Sequence, residues 1–266
     1  MRAPSLGPRK CRRRRAPLTV TAAAVVLAGC THGSTPKTSG PPPDAKVGAL
    51  FVGGLQGLHV CTASVVHSST GDVIATAAHC LTGRAVGTVF APGYGPGGAP
   101  YGTWTVTGAY VESAWIHGRD PHADIAFLTV AAASTNRSGS APVEHVVGAS
   151  TLATAPADGT PVTATGYALG SHDRPLSCSA ATTTTDGYPT LPCGPLPLGT
   201  SGAPWIATAD DGTPQLVGVV GGLHQGGCTP DVSYSAPFTA TTAALLARAE
   251  DGGPADALPA RGDDGC

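Results

Sequence analysis

Hydrophobic positions in this chain fall into short runs separated by polar and glycine-rich clusters. "HVCTASVV" (59–66), "DVIATAAHC" (72–80), "AVGTVFA" (85–91), "GTWTVTGAYV" (102–111), "DIAFLTV" (124–130), "PVTATGYAL" (161–169) and "QLVGVVGG" (215–222) are rich in Val, Thr and aromatic residues. Gly, Pro, Asp and Ser bound each of them, which is the pattern of β-strands closed by turns. Many short strands without intervening helices predict an antiparallel barrel or sandwich and exclude βαβ units. One helix is predicted, over "TATTAALLARA" (239–249), and "APGYGPGGAPYG" (91–102) reads as a mobile loop.

The two ends of the chain lack this pattern. Residues 1–15 carry seven positive charges and no acid, and an uncharged run follows from Ala16 to Gly29. That run is too short to cross a bilayer as a helix. A basic start, a short apolar stretch and small residues before a cleavage point make residues 1–29 a secretory signal. The stretch ends in "LAGC", which resembles the lipobox of bacterial lipoproteins, so Cys30 is expected to carry lipid and to become the first mature residue. "THGSTPKTSGPPPDAK" (31–46) is Pro-, Gly- and Ser/Thr-rich and completes a flexible tether over 30–46. Residues 47–249 then form the folded domain, and 250–266 a Gly-, Asp- and Pro-rich tail ending in Cys266.

Charge and cysteine content narrow the function. The chain holds 15 basic and 17 acidic residues; loss of the seven basic residues in the signal leaves the mature part at −9. Scattered acids of that excess give no footprint for nucleic acid. Cys11 leaves with the signal and Cys30 is taken by lipid, so six remain: Cys61, Cys80, Cys178, Cys193, Cys228 and Cys266. In an exported chain an even number implies disulfides, with fifteen possible connectivities. No CxxC spacing is present, so no metal and no cofactor is expected. A monomer is expected.

Three places combine special residues with special surroundings. His79 stands at the exit of an apolar run in "TAAHC", Asp124 opens the buried run "DIAFLTV", and Ser201 lies between glycines in "GTSGAPW". A serine hydroxyl is a poor nucleophile until an imidazole takes its proton, and the imidazole needs a buried carboxylate on its other nitrogen. The glycines let the backbone turn so that the amides of Gly199 and Ser201 both face a developing oxyanion. An esterase built on a Gly-x-Ser-x-Gly elbow is disfavoured, because Ala203 replaces the last glycine and no helix pattern follows. A catalytically silent binding module on the cell surface is the alternative, although all three side chains are present.

The order His79, Asp124, Ser201 and the motifs around them resemble the trypsin-like serine proteases. "TAAHC" is identical to that family's histidine motif, "DIAFL" is similar to its "DIALL", and "GTSGAP" to its "GDSGGP"; "CTASVVHSSTGDVIATAAHC" resembles exported actinobacterial members. The resemblance spans about residues 47–247. It implies an all-β chymotrypsin-like fold of two six-stranded antiparallel barrels with the triad between them. It implies peptide-bond hydrolysis, with protein or peptide substrates; lipid on Cys30 would place it at the outer face of the cell membrane. It also implies the pairs Cys61–Cys80 and Cys178–Cys193, leaving Cys228–Cys266, with Cys193–Cys228 as the rival.

The resemblance carries expectations about the substrate pocket and activation too. Six residues before Ser201, where trypsin has its acidic pocket floor, stands Pro195, which cannot pair with Arg or Lys. "TPDVSY" is similar to the family's "PGVY" and puts Asp231 where glycine is usual. Gly221, His224 and Asp231 are expected to line the pocket with Pro195. Asp231 would attract basic residues or merely close a turn after Pro230, and His224 would receive an acidic one. Where animal enzymes have an Asp that pairs with a newly cut amino terminus, this chain has Thr200. "KVGAL" (46–50) is similar to an activation site, but Val47 lies only 14 residues before Cys61. The expectation is an enzyme active without cleavage.

Overall fold

The computed structural model describes residues 44–260 except 82, 84, 136–138 and 170–173. The signal, Cys30, most of the tether and Cys266 lie outside the described residues. Six strands make a closed antiparallel barrel: β1 (Val47–Phe51), β2 (His59–Val65), β3 (Val73–Thr76), β4 (Val89–Pro92), β5 (Trp104–Val111) and β6 (Ala126–Ala132). Their order around the ring is β1-β2-β3-β6-β5-β4, closed by β1 against β4. Leu50, Val65, Ile74, Phe90, Trp104 and Leu128 fill its interior. β3 is buried at every position because its outer face is covered as well, which is why its sequence reads as a continuous apolar run.

The second half contains β7 (Thr151–Leu152), β8 (Pro161–Gly166), β9 (Leu176–Ala181), β10 (Thr183–Thr185), β11 (Tyr188–Leu191), β12 (Pro204–Thr208), β13 (Pro214–Val219) and β14 (Ser233–Tyr234). Hydrogen bonding divides them into a five-stranded sheet, β7-β13-β12-β8-β9, and a three-stranded one, β10-β11-β14. Two joints turn these sheets into a ring of six. β9 and β10 are one strand interrupted at Thr182, whose amide donates to the Thr160 carbonyl at 2.9 Å. β13 meets β14 where the Gly221 amide donates to the Tyr234 carbonyl at 3.0 Å and the Val219 amide to Ser235 Oγ at 3.0 Å. The ring β8, β9–β10, β11, β14, β13, β12 encloses Val162, Leu191, Trp205 and Val217.

Between the barrels lies a third apolar layer of Val73, Phe127, Leu216 and Val219, against which Leu245 and Leu246 of the C-terminal helix pack. That helix, α3 (Ala240–Glu250), begins at Thr239, whose hydroxyl accepts from the Thr241 amide while Thr242 Oγ1 accepts from the Thr239 amide. Two short helices, α1 (Ser113–Gly118) and α2 (Val143–Val147), are additions to the sequence-based expectation. At five or six residues they have no periodicity to reveal them.

Two expectations change. The 91–102 segment is anchored: the Tyr167 hydroxyl donates to the Tyr94 carbonyl at 2.8 Å, and the Tyr94 ring packs edge-on against Phe51. The tail is strapped well before Cys266. β4 pairs with only Trp104 and Thr105 of β5, which leaves the outer edge of Ala109–Val111 without a strand. Asp256 fills that edge, its amide donating to the Ala109 carbonyl and its carboxylate accepting from the Val111 amide, both at 2.9 Å. Arg248 holds the same carboxylate through Nη1 (2.9 Å) and Nη2 (2.6 Å). Asp256→Ala leaves the buried Val111 amide unpaired, at a cost of about 1–3 kcal/mol. A fall of several degrees in melting temperature is expected, and an unchanged value would show that the strap does not support the barrel.

A pH-dependent clasp joins β2 to α2. His67 Nδ1 lies 2.5 Å from Glu144, whose other oxygen accepts from the Ser68 amide at 3.1 Å. The hydrogen bond and charge of Glu144 raise the His67 pKa above its ordinary value. A raised folded-state pKa adds stability that is complete below the unfolded value and is lost as pH rises through the folded one. His67 is 65% exposed, so solvent screening keeps the effect small. His67→Gln should flatten the decline of melting temperature between about pH 6 and 8; an identical slope would exclude the clasp.

Candidate active site

β3 delivers the chain to the boundary between the barrels, where a single 3-10 turn, Ala78–Cys80, carries His79. The Cys61–Cys80 disulfide (Cα–Cα 6.1 Å) ties this turn to β2. Asp124 ends a second 3-10 turn, Pro121–Ala123, immediately before β6. Asp124 is fully buried, and its carboxylate accepts three bonds: from the His79 amide (2.9 Å), from His79 Nδ1 (2.8 Å) and from the Gly222 amide (2.8 Å). Burying a carboxylate is tolerable only when its oxygens are satisfied in this way. An acceptor at Nδ1 puts the imidazole proton there and leaves Nε2 as the basic nitrogen. Nε2 is buried and hydrogen-bonds to no group of the described residues.

The loop carrying Ser201 is shaped by two glycines. Gly199 has φ +96°, and a Cβ there would stand 2.1 Å from the Leu169 amide nitrogen. Gly202 has φ +78°, and a Cβ would stand 2.1 Å from Thr76 Oγ1. Only glycine fits either position. Thr62 of β2, fully buried, clamps the loop from the other barrel. Its amide donates to the Ser201 carbonyl (2.8 Å), its hydroxyl donates to the Gly199 carbonyl (3.3 Å), and the same oxygen accepts from the Tyr167 amide (2.9 Å). The amides of Gly199 and Ser201 donate to no acceptor among the described residues. Thr62 holds this loop through contacts that its sequence context hides, because it sits inside an ordinary strand.

Thr200 is 1% exposed, with its hydroxyl donating to the Pro197 carbonyl at 2.7 Å. Val47 belongs to β1. Its amide donates to the Asp44 carbonyl (3.1 Å), its carbonyl accepts from Gly93 (2.8 Å), and it pairs with Ser64.

His79 and Ser201 line one cleft of about 590 Å³, together with Leu196, Thr200, Val220 and His224. Of the four expected pocket residues only His224 is in the lining. Pro195 is exposed, and the chain turns so that Leu196 faces the cleft instead, its amide bonded to the Pro230 carbonyl (2.8 Å). Gly221 faces Asp124, where a Cβ would lie 3.0 Å from Oδ2. Asp231 is exposed beyond the lining. Cys178 is bonded to Cys193 (Cα–Cα 6.0 Å), which excludes the rival Cys193–Cys228 pair. Cys228 is disulfide-bonded, and its expected partner Cys266 lies outside the described residues.

No protein-family model and no curated protein matches the sequence. Solved structures do match the fold. The protease Anisep from Arthrobacter nicotinovorans is 24% identical, with a TM-score of 0.65 over 80% of this chain and 98% of its own. The thermostable serine protease AL20 from an extremophilic microorganism is 24% identical, with a TM-score of 0.62 over 79% and 99%. Human heparin binding protein is 16% identical, with a TM-score of 0.58 over 82% and 98%. These likenesses show the chymotrypsin-like double barrel.

Thr62→Val removes the hydroxyl shared by the Tyr167 amide and the Gly199 carbonyl. Two buried groups lose their partner, at about 1–3 kcal/mol each. Amide exchange followed by mass spectrometry should quicken across 199–202, while unaltered protection there would show that Thr62 does not hold the loop.

Proposed function

We propose that this chain is an exported serine endopeptidase that cleaves peptide bonds with His79, Asp124 and Ser201, and that it is active without zymogen cleavage. The observation that carries this reading is the His79 Nδ1–Asp124 bond at 2.8 Å in the cleft that Ser201 lines. The fold alone does not decide, since heparin binding protein shares it. The side chains do.

Ser201 Oγ attacks the substrate carbonyl carbon while His79 Nε2 takes the hydroxyl proton. Negative charge moves onto the carbonyl oxygen, where the Gly199 and Ser201 amides donate to it. The carbon–nitrogen bond then breaks, and His79 returns the proton to the leaving amine. A water molecule attacks the resulting ester, giving its proton to Nε2, and the carboxylic acid departs as Ser201 regains its hydrogen. Asp124 accepts from Nδ1 throughout and stabilises the imidazolium.

Several features support activity without cleavage. Thr200 has no charge to pair with a new amino terminus, and its hydroxyl is already engaged with Pro197. Val47 is woven into the first barrel, so a freed Val47 amine would reach the second only by tearing β1 from its two neighbours. The 16-residue Cys178–Cys193 loop precedes the nucleophile and braces the second barrel. Lipid on Cys30 would hold the enzyme at the outer face of the membrane through about 14 residues of tether, with a mean reach of about 20 Å.

Ser201→Ala should abolish fluorophosphonate labelling and lower peptide hydrolysis by roughly six orders of magnitude, and His79→Ala should act similarly. Asp124→Asn should cost about four orders through the wrong tautomer. Full activity of Ser201→Ala would refute the assignment. Residues 31–266 and 47–266, produced separately in an oxidising compartment, should be equally active. Activity confined to the shorter form would establish a zymogen. Cys30→Ser should move the protein from the detergent phase to the aqueous phase with catalysis retained.

A further inference from the structure

The described residues lining the cleft include no Asp or Glu; their ionisable side chains are His79, His224 and Arg119. His79 is committed to Asp124. Arg119 is therefore the permanently charged group of the lining. It stands at the C-terminus of α1 in the left-handed conformation, φ 51° and ψ 41°, which an ordinary side chain adopts only when its surroundings enforce it. Its amide bonds back to the Trp115 carbonyl at 3.0 Å.

What holds the guanidinium is the C-terminal strap. Nη2 of Arg119 donates to the Ala260 carbonyl. Ala260 is itself placed by three preceding contacts: Asp256 on the β5 edge, Leu258 against the first-barrel core, and the Pro259 carbonyl, which accepts from Gly83 at 3.1 Å. A neutral carbonyl fixes the group's position without cancelling its charge. Among the described residues Arg119 forms no ion pair, and one of its five N–H donors is engaged. A cation fixed at the rim of a peptide cleft, with no acid among the described residues of the lining, is a receptor for a carboxylate.

Resting on the peptidase reading, we propose that Arg119 is a specificity-determining residue that selects an acidic side chain in the substrate, and that the strap 251–260 positions it. A substrate carboxylate would accept from the remaining guanidinium N–H groups, a charge-assisted pair that Gln cannot replace with equal strength.

The test is a peptide series with Glu exchanged for Gln at each position flanking the scissile bond, read as the ratio of kcat/KM for Glu over Gln. The ratio is internal to one enzyme preparation, so partial unfolding of a variant does not alter it. At one position the wild type should favour Glu on the order of tenfold, as a partly enclosed ion pair worth about 1.4 kcal/mol would give. That ratio should drop towards one in Arg119→Gln, survive in Arg119→Lys, and shrink as ionic strength rises. Asp256→Asn, which loosens the strap, should lower the ratio mainly through KM. A wild type indifferent to Glu at every position overturns the proposal. So does a preference that persists in Arg119→Gln, or one lost only in His224→Gln. A ratio unmoved by Asp256→Asn overturns the role of the strap. Binding of the same labelled peptides to Ser201→Ala, read by fluorescence anisotropy, measures selection without turnover. Selective binding by Ser201→Ala together with a wild type that hydrolyses no peptide would fail the peptidase reading alone; equal binding of Glu and Gln peptides would fail this one.

Discussion

The structure turns on a single buried carboxylate. Asp124 comes from the first barrel, its three hydrogen-bond donors come from both, and it is sealed from solvent. Removing a donor would leave a buried carboxylate short of one of its three hydrogen bonds, which costs about 1–3 kcal/mol or more. The demand therefore fixes more than an imidazole. It requires the His79 turn to stand over the start of β6, and it requires the Gly222 amide of the second barrel to reach across. Gly222 has φ +77°, and a Cβ there would stand 2.6 Å from the Ala236 amide nitrogen, so only glycine fits. The carboxylate thus acts as a register mark between the two barrels as well as a partner of His79.

Thr62 makes the complementary connection. It lies in β2 of the first barrel yet bonds to Gly199, Ser201 and Tyr167, all in the second half of the chain. Thr76 closes the unit by donating its hydroxyl to the Thr62 carbonyl at 2.8 Å. Thr62 thus holds the Ser201 loop from the barrel that does not carry it, while Asp124 joins the His79 turn of its own barrel to the Gly222 amide of the other. A shift of the Ser201 loop breaks buried bonds to the first barrel. Preorganisation of that kind is what an oxyanion site requires, because its donors must be aimed before charge develops.

The parts of this arrangement legible in the sequence are those made by covalent order and by strong local chemistry. "TAAHC", "DIAFL" and "GTSGAP" mark the three loops that meet at the cleft, and the apolar runs mark most strands of the first barrel. The second barrel was less legible, since "LSCSAA" and "TTT" form strands on Ser and Thr hydroxyls with little apolar alternation. Asp186–Gly187 between β10 and β11, both at positive φ, is a hairpin signal that the sequence does carry. Pocket residues fared worst. Pro195 comes from a count back from Ser201 and Asp231 from the likeness of "TPDVSY" to "PGVY", and neither shows which way a turn points a side chain; here Leu196 faces the cleft and Pro195 is exposed. Asp256 was illegible for a different reason. Its value comes from an unpaired β5 edge that exists only after the barrel has closed.

The charge distribution constrains how the cleft can choose. Residues 30–266 carry an excess of nine acids, yet the described cleft lining holds none. At physiological salt a field is screened within about 8 Å. The acidic surface would repel a negatively charged peptide weakly at a distance, and the cleft can act on it only in contact. Selection in such a molecule would show in KM and dissociation, with little gain in association rate. It would also depend on geometry, because a carboxylate a few ångströms away from Arg119 would feel the acidic surface as much as the cation. That sensitivity gives a physical reason for a strap whose last described contact is the carbonyl beneath the guanidinium: a cation that works only at short range must be held where the substrate passes.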